Sequence, residues 1–262
     1  MLLMFLSLSR AKLVAPTLLT LIGLAVLGGL GTWQLERKAW KERLIAALAS
    51  RSAAPPVPAT ATWPGLPCFD TLAPGSGNPC EFQAVAVRGT FDHTRERHIF
   101  TAAPDVAGLS GGRGYWVFTP LHLEGNGHTV FVNRGYVPEP LKDPTQRVIG
   151  QTTQAVEITG LYRSAQERSW FDAANDPARN VWFVRSPAEL WPVDENEPVL
   201  DEHWAYVDAT GPEPAGGWPK PLAGKIALTN RHFVYAITWY GLALTLLGVY
   251  AAFAWGRIRA KP

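Results

Sequence analysis

Two long stretches of the chain carry no charged side chain, Leu13 to Leu35 and His232 to Gly256, and both are rich in Leu, Ala, Val, Ile and Gly. At a rise of about 1.5 Å per residue, each would make a helix of roughly 35 Å, enough to cross a hydrocarbon core of about 30 Å. The pattern predicts two transmembrane helices, 13–35 and 232–256, with short tails at 1–12 and 257–262. The bulk of the chain, 36–231, lies between them. A pair of buried core helices would also be apolar, but the terminal placement and basic flanks favour spans. A signal peptide is the other reading of the first run. The charges between Glu36 and Arg43 separate it from the small residues Ala47-Leu48-Ala49, which favours an uncleaved anchor.

Beyond the first span the periodicity changes. Gln34 to Ala49 keeps Leu35, Trp40, Leu44 and Leu48 near one helical face, so the helix is expected to run on into the interface, with Trp33 and Trp40 at headgroup level. Arg51 to Gly77 is rich in Pro, Ala and Gly and reads as a linker or irregular loop. From there the period is two. Phe82–Phe91, Tyr115–Leu123, Thr129–Val137, Ala155–Tyr162, Val181–Arg185 and Trp204–Val207 are short β candidates bounded by Gly, Pro or Asn. Leu123-Glu-Gly-Asn-Gly127 supplies the positive-φ residues of a hairpin turn. The expected architecture is an antiparallel, partly closed sheet with one small helix at Pro187–Trp191. No internal repeat is present.

Composition narrows the class. Hydrophobic residues form 47% of the chain and charged ones 18%, against about 25% charged in an ordinary domain. The chain is therefore neither disordered nor, at a formal charge of +2, a strongly basic nucleic-acid binder. All 22 acids fall between Glu36 and Glu213, whereas Arg10, Lys12, Arg257, Arg259 and Lys261 make both tails basic and acid-free. Basic tails mark the cytoplasmic side. Arg37, Lys38, Lys41, Arg43 and Arg51 oppose that locally, but long loops cross largely regardless of charge, so the middle region is expected outside the cytoplasm.

Chemistry-bearing motifs are few. There is no Gly-x-Ser-x-Gly elbow, phosphate-cradling loop, His-Glu-x-x-His or Cys-x-x-Cys, and the chain is not expected to be an enzyme. His93 and His98 would face opposite sides of a strand and make a poor ligand set. Ser186 to Pro219 carries eight acids and no Lys or Arg. It reads as a solvated loop, with a cation site at Asp201-Glu202-His203 as the alternative. Cys68 and Cys80, the only cysteines, flank a Pro-, Gly- and Asn-rich segment suited to a disulfide-closed loop. Metal binding and two free thiols are the alternatives, and no metal site is expected.

His232 is the only His in or bordering either span. A neutral imidazole there can supply an axial nitrogen to haem iron. Tyr235 and Trp239 fall on its helical stripe, Phe233 and Tyr240 add flat apolar surface, and Arg231 is placed to pair with propionates. An interfacial His within an aromatic belt is the alternative.

The segments Gly31-Thr-Trp-Gln-Leu-Glu-Arg37, Val87-Arg-Gly-Thr-Phe-Asp92, Gly114-Tyr-Trp-Val-Phe-Thr-Pro-Leu121, Val130-Phe-Val-Asn-Arg-Gly-Tyr-Val-Pro138 and Gly160-Leu-Tyr-Arg163, with the His232–Gly241 run, carry a resemblance. In order and spacing, from about residue 13 to 255, the chain resembles the Surfeit locus protein family of cytochrome c oxidase assembly factors. The resemblance implies two membrane helices around a large external domain and a role in maturing the haem a sites of the oxidase's catalytic subunit. Bacterial members are associated with haem a binding through a His at the start of span two, which His232 matches. A bacterial inner-membrane location with the main domain periplasmic follows. So do contact with the catalytic subunit and the lipid bilayer, and a possible link to haem a synthase. A cofactor-free chaperone that holds an assembly intermediate is the alternative function. Arg231 stands where the family commonly has Asn, and the Cys68–Cys80 loop resembles an insertion. Trp33, Gln34 and Arg37 either serve this function or only fix span one at the interface. Asn133, Arg134 and Gly135 lie at a strand-to-turn corner, where Arg134 would meet propionates, the oxidase subunit or backbone carbonyls.

Overall fold

The computed structural model describes residues 13–63, 65–66, 78–102, 112–125, 127–191, 205–221 and 230–259. The chain divides into two compact units, Met1–Ala46 with Leu228–Pro262 and Ala47–Ala227.

The first unit is a pair of helices, α1 (Val14–Ser52) and the C-terminal helix (His232–Arg259), each long and apolar enough to cross a membrane. Their most apolar windows are only 11% and 6% buried, so the two helices do not make a core for each other. They touch along one seam. In α1 the shielded positions include Thr20, Leu24, Leu27, Gly31, Gln34 and Lys38; in the C-terminal helix they include His232, Ala236, Trp239, Ala243, Leu246 and Tyr250. These alternate three and four positions apart, the spacing that keeps one face against a neighbouring helix. Thr17 meets Tyr250 at 2.5 Å and Gln34 meets His232 at 2.7 Å, so the helices run antiparallel. Gly31 permits the approach: a Cβ there would lie 2.8 Å from the Tyr240 ring.

The second unit is built on β1 (Val57–Pro58), β2 (Ala84–Phe91), β3 (Arg97–Ala102), β4 (Arg113–Leu123), β5 (Thr129–Pro138), β6 (Val156–Ser164) and β7 (Ala205–Gly211). A short helix, α2 (Pro187–Leu190), precedes β7, and the C-terminal helix is α3. The strand order is β1-β2-β6-β7-β5-β4-β3, and β2 also pairs with β4. That extra pairing joins Gly89, Thr90 and Phe91 to Leu123, His122 and Leu121, closing β2-β6-β7-β5-β4 into a five-stranded barrel. Gly89 is required there, since a Cβ would fall 2.1 Å from the His122 carbonyl oxygen.

Alternation fills the lumen. Val85, Val87, Phe91, Leu121, Val130, Val132, Ile158, Tyr162, Val207 and Ala209 form one buried cluster. Trp63 closes one end, its ring 5.3 Å from that of Tyr162. A second cluster, including Trp116, Phe118, Tyr206 and Trp182, packs elsewhere on the sheet.

The two spans and the β-rich domain between them agree with the sequence pattern, as does the 123–127 hairpin, where Gly125 and Gly127 both have positive φ. Several elements differ. The sheet is not purely antiparallel: β1 runs parallel to β2, and β5 runs parallel to β7 through Val132↔Val207 and Asn133↔Asp208. Val181–Arg185 is no strand. Trp182 exchanges hydrogen bonds with His98 and Phe100, but its pairing stays an isolated bridge, and α2 begins five residues on. β3 and the short β1 have no alternating apolar signature. Trp204 and the Asp201-Glu202-His203 alternative lie outside the described residues.

Candidate functional site

In the helix unit the geometry centres on His232. Asn230, just before α3, accepts a hydrogen bond from the His232 amide at 3.3 Å and donates to the Lys38 carbonyl at 3.4 Å, so one Asx turn both starts α3 and ties it to α1. The His232 Nδ1–H donates to the Gln34 side-chain oxygen at 2.7 Å. A Gln side-chain oxygen can only accept, so this bond calls for the ring proton on Nδ1, the tautomer that keeps a lone pair on Nε2. Among the described residues, no hydrogen bond occupies Nε2. A partner holding the remote ring nitrogen is what orients ligating histidines generally. Tyr235 is 54% exposed and Phe233 53%. Trp239 is half-buried on the seam side, and Arg231 is exposed. Thus the structure brings His232 and Gln34 together and leaves Tyr235 turned outward from the helix contact. Trp33 is exposed, and the Arg37 guanidinium lies 4.0 Å from the Trp40 ring centroid.

In the barrel unit the Asn133-Arg134-Gly135 corner is a bulge. Val117 pairs with Gly135 and Phe118 with Asn133, so Arg134 is the extra residue of β5. Asn133 donates to Asp208 at 2.7 Å and accepts from the Gly135 amide at 3.2 Å. Arg163, half-buried, joins Asp208 at 2.6 Å and Glu81 at 2.8 Å, tying β5, β7 and β6 through the buried Asn133 and Asp208. Gly135 has φ +125°, and a Cβ would lie 2.0 Å from the Lys220 carbonyl oxygen. Its role is therefore backbone geometry. Arg134 is buried, donates to the Gly150 carbonyl, and stacks 4.8 Å from the Phe91 ring centroid.

Beside it lies a cluster that sequence reasoning missed. Glu96 is 3% exposed. It receives His98 Nε2–H at 2.7 Å, Arg147 Nη1 at 3.1 Å and a close bond from Arg147 Nη2. Burial alone would raise its pKa, but the hydrogen bonds from His98 and Arg147 prevail and hold the carboxyl at about 2. His93 donates to the Thr152 carbonyl at 2.8 Å and accepts from Arg134 at 3.4 Å; burial pushes its pKa down. His93 and His98, expected on opposite faces, therefore reach one charge cluster because His93 sits in a 3-10 turn (His93–Arg95) before β3. Charged Arg-Glu-Arg-His gave no apolar signal to mark Glu96 as internal. Among the described residues no group of three or more His, Cys, Asp or Glu is arranged to hold a metal ion. Cys80 is fully buried and disulfide-bonded, while Cys68 lies outside the described residues.

Two apolar helices suited to a bilayer and a closed five-stranded barrel define a membrane protein with one β domain between its spans. Residues 21–244 match the model of the SURF1 family. Surfeit locus protein 1 of Mus musculus is 34% identical over 223 residues, covering 82% of this chain and 67% of that protein. The Homo sapiens protein of the same name is 34% identical over 225 residues, covering 82% and 69%. That of Takifugu rubripes is 34% identical over 224 residues, covering 82% and 86%. The chain belongs to the SURF1 family, known as cytochrome c oxidase assembly factors.

Proposed function

We propose that this protein is a non-enzymatic, membrane-anchored cytochrome c oxidase assembly factor that binds haem a and assists its insertion into the oxidase's catalytic subunit. The observation that carries the proposal is the 2.7 Å bond from His232 Nδ1 to Gln34, which presents Nε2 as a free donor at the head of a span. Haem a would be cargo, and the chemistry it brings is that of its redox-active iron. His232 would provide the axial nitrogen, with Gln34 holding its tautomer. Exposed Phe233 and Tyr235, with half-buried Trp239, offer apolar faces near it on α3, and exposed Arg231 offers a guanidinium for propionates. The acid-free basic tails support a barrel on the periplasmic side of a bacterial inner membrane. The partners are the catalytic subunit, the lipid bilayer and, upstream, a haem a synthase.

The test is the visible spectrum of the full chain purified from cells that make haem a. The wild type should show a Soret band. His232→Ala should lose it while remaining inserted, because an interfacial imidazole contributes little to spanning. Phe233→Leu, which alters no ligand, should keep it. A His232→Ala protein with an unchanged spectrum would overturn the ligand assignment. A colourless wild type that retains the oxidase subunit would point instead to a cofactor-free scaffold.

A further inference from the structure

The end of the barrel away from Trp63 is not filled. A cavity of about 260 Å³ lies there, walled by Val132, Val156, Ile158 and Ala209 from the strands and by Ile149 and Pro212 from the flanking turns. The mouths of β-barrels are recurrent small-molecule sites, usually apolar with a few convergent polar groups. Here the polar group is Arg134. Period-two alternation carries it on from Val130 and Val132 on the lumen-facing side, and it lines the cavity while only 5% exposed.

Its charge is incompletely met. A guanidinium has five N–H donors. Arg134 uses one on the Gly150 carbonyl and one on His93, stacks on Phe91, and meets Glu96 only as an ion pair at 3.7 Å, with no hydrogen bond to it. Glu96 is already taken by both Arg147 nitrogens and by His98. His93 adds no negative charge. Two guanidiniums therefore share one carboxylate among the described residues of the cluster, and the less closely paired of the two, Arg134, lines the cavity. Burying a guanidinium whose charge is only partly met carries a desolvation cost that a second anion would offset.

We infer that the barrel mouth is a binding site for a small apolar monocarboxylate, its tail between Val132, Ile158 and Ala209 and its carboxylate on Arg134. The sign of the charge follows from the less closely paired guanidinium, and the tail from the walls. Glu213 also lines the cavity, paired at 3.9 Å with Lys220. A second negative group on the ligand would meet that carboxylate, which favours a monoanion. The site is independent of His232 and of any haem: its elements all belong to the barrel unit.

Hexanoate is a direct probe, with hexanol (same tail, no charge) and acetate (same charge, no tail) as comparisons. The full chain, in nanodiscs of phosphatidylcholine with its isoleucine methyls labelled, would be titrated by NMR. Hexanoate should saturably shift the Ile149 and Ile158 methyl signals and bind at least about tenfold more tightly than either comparison, the scale of a charged hydrogen-bonded contact. Arg134→Gln should bring hexanoate down to the level of hexanol. Val156→Trp, which fills the cavity but leaves Arg134 in place, should abolish both. Should Arg134→Gln fail to fold, Val156→Trp with the three probes decides alone. Equal binding of hexanoate and hexanol, unmoved Ile149 and Ile158 methyls, or undiminished binding to Val156→Trp would each overturn the site.

Discussion

The hydrogen bonds that join α1 to α3 and to Asn230 just before it involve, among the described residues, no Asp, Glu, Lys or Arg side chain: Thr17 with Tyr250, Thr32 with Tyr240, Gln34 with His232, and Asn230 with the Lys38 carbonyl. The barrel unit instead buries full charges, Glu96 with Arg147 and Arg134, and Asp208 against a half-buried Arg163. The contrast follows from what surrounds each unit. A helix pair whose windows are almost wholly exposed depends on lipid for its apolar environment, and an ion facing lipid costs several kcal/mol. A closed barrel supplies its own walls and can surround each charge with partners. In the helix unit polar groups thus set register without carrying much stability; in the barrel unit they are part of the fold, and removing one exposes its partner's buried charge.

The strongest way to break this contrast is at the barrel's bulge. Gly135→Ala places a Cβ 2.0 Å from the Lys220 carbonyl oxygen at φ +125°. It should destabilise the barrel by about 4 kcal/mol or more. Thermal unfolding followed by near-UV circular dichroism measures it. A change below about 1 kcal/mol would mean the corner relaxes freely and the polar ties around it are weak.

Glu96→Ala comes next. It strands the Arg147 guanidinium, whose side chain is 2% exposed, and the expected loss is about 3–5 kcal/mol. The same residue predicts the acid limit. Its folded pKa of about 2 lies below the ordinary 4.5. The folded state therefore binds fewer protons, and the contribution of Glu96 is fully present above about pH 4.5 and is lost as pH falls toward about 2. Stability measured by denaturant titration should decline across that window in the wild type, and less steeply in Glu96→Gln. Parallel declines in the two proteins would assign acid lability to other carboxylates.

Legibility in the sequence follows the same division. The helices were readable because lipid-facing segments must exclude charge over their whole length, and Leu13–Leu35 and His232–Gly256 do so without interruption. Inward-facing strands such as Val85-Val87 and Val130-Val132 were readable from alternation. Partial closure was expected from the run of short strands, but the register that achieves it, Gly89–Phe91 against Leu121–Leu123, is one that no local pattern specifies. β3 carries no local signal, because it opens with Arg97-His98 and the charges beside it are buried by partners distant in sequence, Arg147 above all. Of the candidate site, the His232 position was visible, but its partnership with Gln34 links residues 198 positions apart. It needs both helices to be placed before it can be seen.

The smallest stability effect expected is at that partnership, and it separates the two units most sharply. Gln34→Leu removes one neutral hydrogen bond between membrane helices, a contact worth about 0.6 kcal/mol on average. Membrane insertion and the unfolding of the barrel should be unchanged within about 0.5 kcal/mol. What should change is the imidazole. Without an acceptor for Nδ1–H, His232 loses the restraint that fixes its tautomer and ring orientation, and the loss of such outer partners typically lowers ligand affinity about 10–100-fold. Nitrogen NMR of labelled His232 reads the tautomer directly, with or without haem. The wild type should show protonated Nδ1, and Gln34→Leu a mixture. If both proteins gave the same single tautomer, Gln34 would be no more than a seam residue, and the neutral contacts of the helix pair would serve register alone.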